Sequence, residues 1–208
     1  MKVLLFNGSP RQNGCTAAAL GIIAEELEKQ GVQSEILWLG NQPVRDCIGC
    51  GGCKTKGRCV FDDDVINEWI DRAEKADGFV FGSPVYYAHP RGAMLCAMDR
   101  LFYAGGKNFA HKPGAVVTSA RRAGTTASLD ALLKHLTIAQ MPVVSSTYWN
   151  MVHGAAADDV AQDAEGVQTM RNLAQNMAYL LKCIHAGKQA GIAPPDTQKT
   201  ERTNFIRR

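Results

Sequence analysis

The stretch VLLFNGSPRQNGCT, residues 3–16, decides the fold of this chain of 208 residues. Its first four residues have the length and apolar character of a buried β-strand. A polar loop with two glycines follows, and at Cys15 a helical pattern begins that runs to Gly31, a glycine suited to ending a helix. A strand, a glycine-containing loop and a helix in direct succession are typical of an α/β domain that binds a ligand at the loop.

The same alternation continues to about residue 187. The predicted strands are 3–6, 34–39, 78–82, 114–119 and 142–148, and the predicted helices are 15–31, 63–76, 91–103, 126–140 and 163–186. We expect Asp62 or Asp63 to cap the second helix and a methionine-rich stripe on the last helix to face the core. The pattern predicts an α/β fold, a doubly wound five-stranded parallel sheet of order 2-1-3-4-5 with helices on both faces. Its ligand should lie beyond the ends of the first, third and fourth strands.

The loop after the first strand has the composition of an anion site. Ser9, Asn13 and Thr16 carry short polar side chains, Arg11 carries a guanidinium, and Cys15 lies at the start of the helix. The free N–H groups of a helix N-terminus favour a phosphate. The loop is neither a Walker A loop nor a Gly-x-Gly-x-x-Gly dinucleotide motif. Taken alone, it has a plain polar turn as its alternative interpretation.

Two motifs carry a resemblance to a known family. Residues 8–11 (GSPR), with Asn13 and Thr16, resemble the FMN-phosphate loop of the NADPH-dependent FMN reductase branch of the flavodoxin-like superfamily. Residues 82–90 (GSPVYYAHP) resemble the Pro-x-Tyr loop that packs against the isoalloxazine ring in that branch, and a proline-stiffened loop with aromatic side chains suits a flat ring. The resemblance implies an FMN site formed by Ser9, Arg11, Asn13, Cys15, Thr16, Pro84, Val85, Tyr86 and Tyr87.

A third loop follows the fourth strand and reads SARRAGTT over residues 119–126. Its hydroxyls, glycine and arginines suit the polar edge of a flavin or the phosphates of a nicotinamide cofactor. The family places a glycine-containing flavin loop here, which implies that Ser119 and Gly124 contact the flavin. A solvated surface pair is the alternative for Arg121 and Arg122.

The most distinctive motif in the chain is a group of four closely spaced cysteines, Cys47-x2-Cys50-x2-Cys53-x5-Cys59. Thiols at this spacing can wrap one iron-sulfur cluster. The pattern resembles the compact motif of iron-sulfur flavoproteins, which combine FMN with a [4Fe–4S] cluster. Two alternatives stay open: a zinc site, which more often uses two separated Cys-x2-Cys pairs, and free thiols. The remaining cysteines, at positions 15, 96 and 183, are expected to be small core residues.

Composition excludes several function classes. The net charge is only +3, and no lysine-rich run with interleaved aromatics argues for nucleic acid. The first apolar run is too short for a signal peptide, and no stretch is long enough to span a membrane. We therefore expect a cytoplasmic protein with reduced cysteines. Residues 1–190 are expected to form one domain, and residues 191–208 a C-terminal extension.

The resemblance implies an FMN-dependent NAD(P)H oxidoreductase that passes electrons to a quinone, a flavin, an azo or nitro compound or a similar acceptor. The redox chemistry belongs to the cofactor, so no catalytic side chain is predicted. One alternative is an iron-sulfur electron carrier served by a ferredoxin-like partner, and another is a non-enzymatic partner-binding module. A homodimer or homotetramer is expected, because in this branch a neighbouring subunit typically covers the flavin ring.

The C-terminal end carries an apolar pair, Phe205 and Ile206, followed by Arg207. Such a pair gains little from exposure to water. We expect the pair to dock on a protein surface, the partner subunit near the flavin being favoured, with Arg207 holding an anionic group. A solvated tail is the alternative.

Overall fold

The computed structural model describes residues 1–197, 199–203, 205 and 206. Within them the chain alternates between strands and helices, as the apolar patterning predicts. The strands are β1 (Lys2–Asn7), β2 (Gln33–Trp38), β3 (Gly78–Tyr86), β4 (His89–Pro90), β5 (Gly114–Ala120) and β6 (Met151–His153). The helices are α1 (Cys15–Lys29), α2 (Cys53–Lys56), α3 (Ile66–Glu74), α4 (Gly92–Gly105), α5 (Thr125–Ile138) and α6 (Ala164–Gln189). Short 3₁₀ turns cover Gly106–Asn108 and Ala157–Gln162.

The sheet has the order β2-β1-β3-β5-β6, and all neighbours on this path are parallel. This confirms the predicted 2-1-3-4-5 arrangement, with β4 added as a short antiparallel partner of the end of β3. Asn7 pairs with Gly82, and Ser83 pairs with Thr118. The carboxyl ends of β1, β3 and β5 are therefore level, and the three predicted loops begin at one edge of the sheet.

The last strand lies later in the chain than predicted. Residues 142–148 contribute a single bridge, between Gly114 and Val143, and the strand itself is Met151–His153. The polar residues of this segment bond to α6 instead of the sheet: the Ser146 hydroxyl donates to the Thr169 carbonyl at 2.7 Å. Residues 142–148 thus lie next to the sheet, as their apolar character indicates, but the predicted position of the strand is wrong.

Three further expectations need correction. The second predicted helix begins at Ile66 rather than Asp63, and Asp64, rather than Asp62 or Asp63, accepts a hydrogen bond from the Ile66 N–H at 3.1 Å. Cys183 is exposed on the outer face of α6, so it is not a core residue. Cys15 and Cys96 are only partly buried.

Two apolar layers cover the two faces of the sheet. One layer joins the sheet to α3, α4 and α5 around Phe6, Phe79 and Phe81. The other joins it to α1 and α6, where Met170, Ala174, Met177 and Leu181 are buried as the stripe predicts, while Val167 and Ile184 are only partly buried. Burying a large apolar side chain contributes about 1.5–3 kcal/mol, so these layers fix the frame that holds the loops.

The segment after α6 adopts no regular secondary structure over residues 192–197 and 199–203. The Thr197 hydroxyl donates to the Gln140 side-chain oxygen at 2.6 Å, which places this part of the chain beside the end of α5. Phe205 is 90% exposed and Ile206 is 70% exposed. Arg207, which we expected to hold an anion, lies outside the described residues. Among the helices described, none is long and apolar enough to cross a membrane.

Candidate functional site

The loop between β1 and α1 is folded by its own hydrogen bonds. The Asn7 side chain accepts from the Ser9 N–H at 3.0 Å and donates to the Gln12 carbonyl at 3.1 Å. The Ser9 hydroxyl in turn accepts from the Arg11 N–H at 3.1 Å. Asn7 is buried, and sequence reasoning missed it, although a polar residue at the end of a buried strand is a usable signal. These bonds curl the backbone into a preorganised cradle.

The N-terminus of α1 faces this cradle. Gly14 precedes the helix without a side-chain cap, and the first turn holds no acidic residue. The first N–H groups of a helix lack intrahelical partners, and the helix dipole makes this end partly positive. Arg11 and Asn13 are exposed at the rim. The donor set and the positive end of the helix fit a phosphate monoester such as that of FMN.

Thr16 links the first loop to the third. Its buried hydroxyl lies 2.8 Å from the Ser119 hydroxyl, which is also buried. Cys15 is partly buried beside Thr16, and its thiol donates to the Gly154 carbonyl at 3.5 Å. Burial raises the pKa of the Cys15 thiol, which therefore stays neutral at physiological pH. The structure thus brings together the predicted residues of loops one and three.

Two side chains that sequence reasoning missed hold the first loop from outside. The Trp38 indole N–H donates to the Ser9 carbonyl at 2.8 Å. One guanidinium nitrogen of Arg91 donates to the Gly8 carbonyl at 3.1 Å and to the Gly40 carbonyl at 2.9 Å. Arg91 is buried, which lowers its pKa. A Cβ at Gly8 would lie 2.6 Å from the Met94 sulfur and 2.8 Å from the Gly82 carbonyl oxygen, so the close approach requires glycine.

The second predicted loop is a β-hairpin rather than an open loop. Val85 pairs with Pro90, and Tyr86 pairs with His89. Tyr87 and Ala88 form the turn with φ angles of 51° and 59°, the left-handed pair of a type I′ turn. Tyr86 is 47% exposed and Tyr87 is fully exposed, while Pro84 and Val85 are partly buried at the base. The hairpin therefore offers aromatic surface to a flat ring beside the phosphate cradle.

The third loop contacts this hairpin through Gly124. Its φ angle is +93°, and a Cβ at this position would lie 2.4 Å from the Cα of Ala88. Both facts require glycine here. Arg121 and Arg122 are exposed on the same loop. Loops one, two and three thus meet at the carboxyl edge of the sheet, the place where a doubly wound fold binds its ligand, and we call this place the cleft.

The four clustered cysteines line a single pocket of about 560 Å³. Gly49 and Gly51 have φ angles of 65° and 71°, so the loop turns sharply between the cysteines. None of the seven cysteines, all of which lie in the described part of the chain, forms a disulfide. Within residues 1–197, 199–203, 205 and 206, no three His, Cys, Asp or Glu side chains converge closely enough to hold a metal ion. The loop therefore has four thiol donors around one pocket, as a cluster needs, but its side chains are not drawn together.

Cys59 is the best anchored of the four. The Asn67 side chain, on α3, accepts from the Cys59 N–H at 2.9 Å and donates to the Cys59 carbonyl at 3.1 Å. Nε of Arg100, on α4, donates to the Cys59 sulfur at 3.1 Å. Both side chains are buried. Sequence reasoning did not select either residue, because each is an ordinary helix residue until the fold places it under the loop.

The fold and the three loops define a protein of the doubly wound α/β class, which binds its ligand at the carboxyl edge of the sheet. The sequence matches the family model of the NADPH-dependent FMN reductases over residues 1–156. An iron-sulfur flavoprotein of Methanocaldococcus jannaschii is 30% identical over 192 residues, which cover 88% of this chain and 99% of the relative. An iron-sulfur flavoprotein of Methanosarcina thermophila is 26% identical, covering 90% of this chain and 99% of the relative.

This chain belongs to the NADPH-dependent FMN reductase family and, within it, to the iron-sulfur flavoprotein branch of the flavodoxin-like superfamily. A solved flavodoxin from the domain Archaea superimposes with a TM-score of 0.60 at 15% identity, covering 88% of this chain and 99% of that one. That likeness confirms the flavodoxin-like fold. FMN is accordingly the cofactor of this protein, and the chain is an FMN-dependent oxidoreductase.

Proposed function

We propose that this oxidoreductase exchanges electrons between FMN and a small electron-carrier protein, through a [4Fe–4S] cluster held by Cys47, Cys50, Cys53 and Cys59. The observation that carries the proposal is the lining of one pocket by all four thiols, with the buried Arg100 cation donating to one of them. Cysteine ligates iron as the thiolate, and a buried guanidinium can donate a charge-assisted hydrogen bond to such a sulfur. A set of four thiolates suits an iron-sulfur cluster.

The FMN part of the proposal assigns roles to the cleft residues. The α1 N-terminus, Ser9, Asn13 and Thr16 hold the phosphate, and Arg11 closes over it from the rim. Ser119 and Gly124 line the polar edge of the ring. The hairpin residues Pro84, Val85, Tyr86 and Tyr87 cover the ring. Bound FMN accepts and donates one or two electrons, and the protein positions it and excludes water.

The cysteine part rests on the chemistry of the donor set. Glycines at positions 49, 51 and 52 keep the loop free of side-chain bulk, so the thiols at positions 47, 50 and 53 can turn inwards. Cys59 already has a fixed backbone and a donor on its sulfur. Relatives named iron-sulfur flavoproteins support this assignment.

NAD(P)H is the second candidate electron source. Arg121 and Arg122 are exposed on a loop that borders the cleft, where guanidiniums suit the phosphates of a nicotinamide cofactor. The family match also favours this source. In this alternative the electrons pass directly to FMN and then to a quinone, a flavin or an azo or nitro compound, and the cysteines take no part.

The rate of flavin reduction, measured by stopped-flow absorbance, distinguishes the two candidate electron sources. The oxidised protein is mixed anaerobically with a reduced ferredoxin-type carrier or with NAD(P)H, and the flavin absorbance is recorded. The proposal predicts fast reduction by the carrier, and at least a tenfold loss of that rate in the variant Cys50→Ser. The matched control is Cys183→Ser on the outer face of α6. Equal rates in the wild type and in Cys50→Ser would contradict the proposal, and fast reduction by NAD(P)H in both would establish the alternative.

We also propose that the protein works as a homodimer or a dimer of dimers, and that the pair Phe205 and Ile206 docks on the partner subunit. Both side chains are largely exposed in the single chain, which is what a docking segment requires. A separate domain of residues 1–190 with an extension from 191 fits this arrangement. Static light scattering of the full chain, and of a chain ending at Gly191, measures the molar mass and thus the number of subunits in each.

A further inference from the structure

The buried side chain of Arg100 connects the cysteine loop to the core. It is 1% exposed and lies on α4, while Cys59 lies in the loop that precedes α3. Its Nε donates to the Cys59 sulfur at 3.1 Å. Its two terminal nitrogens bond to the Asp64 carboxylate, and they also donate to the carbonyls of Arg45 and Phe61, each at 3.3 Å. All five N–H groups of this guanidinium thus donate hydrogen bonds, and the one on Nε donates to the Cys59 sulfur.

This cation is held in its charged form. The Asp64 carboxylate pairs with it, and an arginine side chain stays charged in proteins. The guanidinium plane also lies over the Phe61 ring, 5.4 Å from its centroid. A charged donor locked in this way cannot rotate away from the sulfur when the charge on the loop changes.

Asn67 and Arg100 hold different parts of Cys59: Asn67 binds its backbone and Arg100 contacts its sulfur. Asn67 binds the N–H and carbonyl of Cys59 and also donates to the Phe61 carbonyl at 3.0 Å, so it fixes the course of the loop. Arg100 is the residue that reaches the Cys59 sulfur. A change at Arg100 can therefore alter the electrostatics at that sulfur while Asn67 keeps the backbone in place.

We infer that Arg100 is a positioning residue that sets the reduction potential of the cluster by donating a charge-assisted hydrogen bond to the sulfur of Cys59. This inference rests on the proposed function. Hydrogen bonds to ligand sulfurs and solvent exposure are among the factors that set the potential of an iron-sulfur cluster. The reduced cluster carries one more negative charge than the oxidised one, so a nearby cation and donor stabilise it more. Arg100 therefore raises the potential, and its loss lowers it.

The test compares midpoint potentials of the cluster in anaerobically purified full-length protein, measured by redox titration followed by electron paramagnetic resonance. Arg100→Met should shift the ratio of reduced to oxidised cluster at a fixed potential by about tenfold or more towards the oxidised form, which corresponds to ~59 mV for one electron. Arg100→Lys keeps the charge and should recover part of the shift. The flavin potential, read in the same titration, should change less than that of the cluster.

Two further variants control for loss of stability and for the loss of a positive charge near the loop. Arg100→Met leaves the partly buried Asp64 carboxylate without its cation, which should destabilise the fold. The double variant Arg100→Met with Asp64→Asn removes both charges and should still show a lower cluster potential, because the bond to sulfur is lost. The matched control is Arg58→Gln, which removes an exposed arginine next to Cys59 that bonds to Asp71 and not to sulfur. It should shift the ratio less than twofold.

The outcomes are distinguishable. Wild-type protein without iron and sulfide after anaerobic purification and reconstitution would overturn the proposed function and this inference with it. A loaded wild type, with the same cluster potential in the Arg100 variants as in Arg58→Gln, would overturn the inference alone. Loss of the cluster from all three Arg100 variants, with full loading of Arg58→Gln, would also overturn it, because Arg100 would then only support the loop.

Discussion

At the scale of single residues, a few short polar side chains shape the phosphate cradle. Asn7 and Ser9 bond within the loop, so their side chains fix the course of its backbone. Thr16 differs, because its hydroxyl bonds to Ser119 on another loop. On the proposed assignment to FMN, the loop is folded before the ligand binds, so little conformational entropy should be lost on binding.

Thr16→Ala should weaken FMN binding selectively. The variant removes a hydroxyl that we expect to bond to a charged phosphate, a loss of about 1.5–3 kcal/mol, or about tenfold or more in affinity. Riboflavin, which lacks the phosphate, should lose much less. Quenching of flavin fluorescence during titration of the apoprotein measures both affinities.

The control for this change is Thr137→Ala, which removes an exposed hydroxyl on α5 that bonds to the Lys134 carbonyl. It should leave both affinities unchanged. Equal losses for FMN and riboflavin in Thr16→Ala would show that the loop does not hold the phosphate, and the assignment of the cradle would be wrong.

The sequence predicts those structural features best that depend on residues close together in the chain. Ser9, Thr16 and the hairpin tyrosines follow from short motifs that precede or begin regular elements. Trp38, Arg91 and Arg100 do not, because their partners lie 29, 83 and 41 positions away in the chain. No local pattern marks such a contact before the fold exists. Whether the selected cleft residues contact FMN stays a prediction.

At the scale of elements, the contact between the third loop and the hairpin fixes the shape of the cleft. Gly124 lies against Ala88, and the hairpin in turn rests on β3. The five predicted helices and the first four predicted strands are present, with shifted ends. The fifth strand was misplaced because hydrogen bonds to α6 compete with the sheet for residues 145–146. Propensity alone does not reveal such competition.

Gly124→Ala should damage both the stability and the cleft. The left-handed conformation costs a non-glycine residue about 1–2 kcal/mol, and the new Cβ would overlap Ala88 and displace the hairpin. We expect a lower free energy of unfolding and weaker FMN binding, measured by urea denaturation and by flavin titration.

Gly21→Ala is the matched control, because Gly21 lies inside α1 and its Cβ would meet nothing within 4 Å. It should stabilise the protein by about 0.5–1 kcal/mol and leave FMN binding unchanged. The same stability and affinity in both variants would contradict the proposed packing of loop three on the hairpin.

At the scale of the whole molecule, α1 and α6 are joined by a buried carboxylate. Glu26 accepts from the Gln175 side chain at 2.8 Å and from Gln30 at 3.3 Å, and it pairs with Lys29 at 3.4 Å. The hydrogen bond from Gln175, followed by those from Gln30 and Lys29, lowers the pKa of Glu26. A carboxyl whose pKa is lower in the folded state stabilises the fold above its unfolded pKa and loses that contribution as the pH falls through the folded value.

Glu26→Gln should therefore be less stable than the wild type at about pH 7, with the difference shrinking as the pH falls towards about pH 3. The free energy of unfolding, measured by urea denaturation at several pH values, gives the two curves. Glu25→Gln, a neighbouring residue outside this network, should show no such convergence. A constant difference between wild type and Glu26→Gln across the range would show that the carboxylate charge is not what stabilises the contact.

The central claim is that one chain holds FMN in the cleft and a [4Fe–4S] cluster on the cysteine loop. The most direct measurement is the content of flavin, iron and acid-labile sulfide in anaerobically purified protein, together with its absorption spectrum. The account predicts about one FMN, about four iron atoms and about four sulfides per chain, with broad absorbance under the flavin bands that disappears in Cys50→Ser. Flavin bands alone, with neither iron nor sulfide after reconstitution, would contradict it.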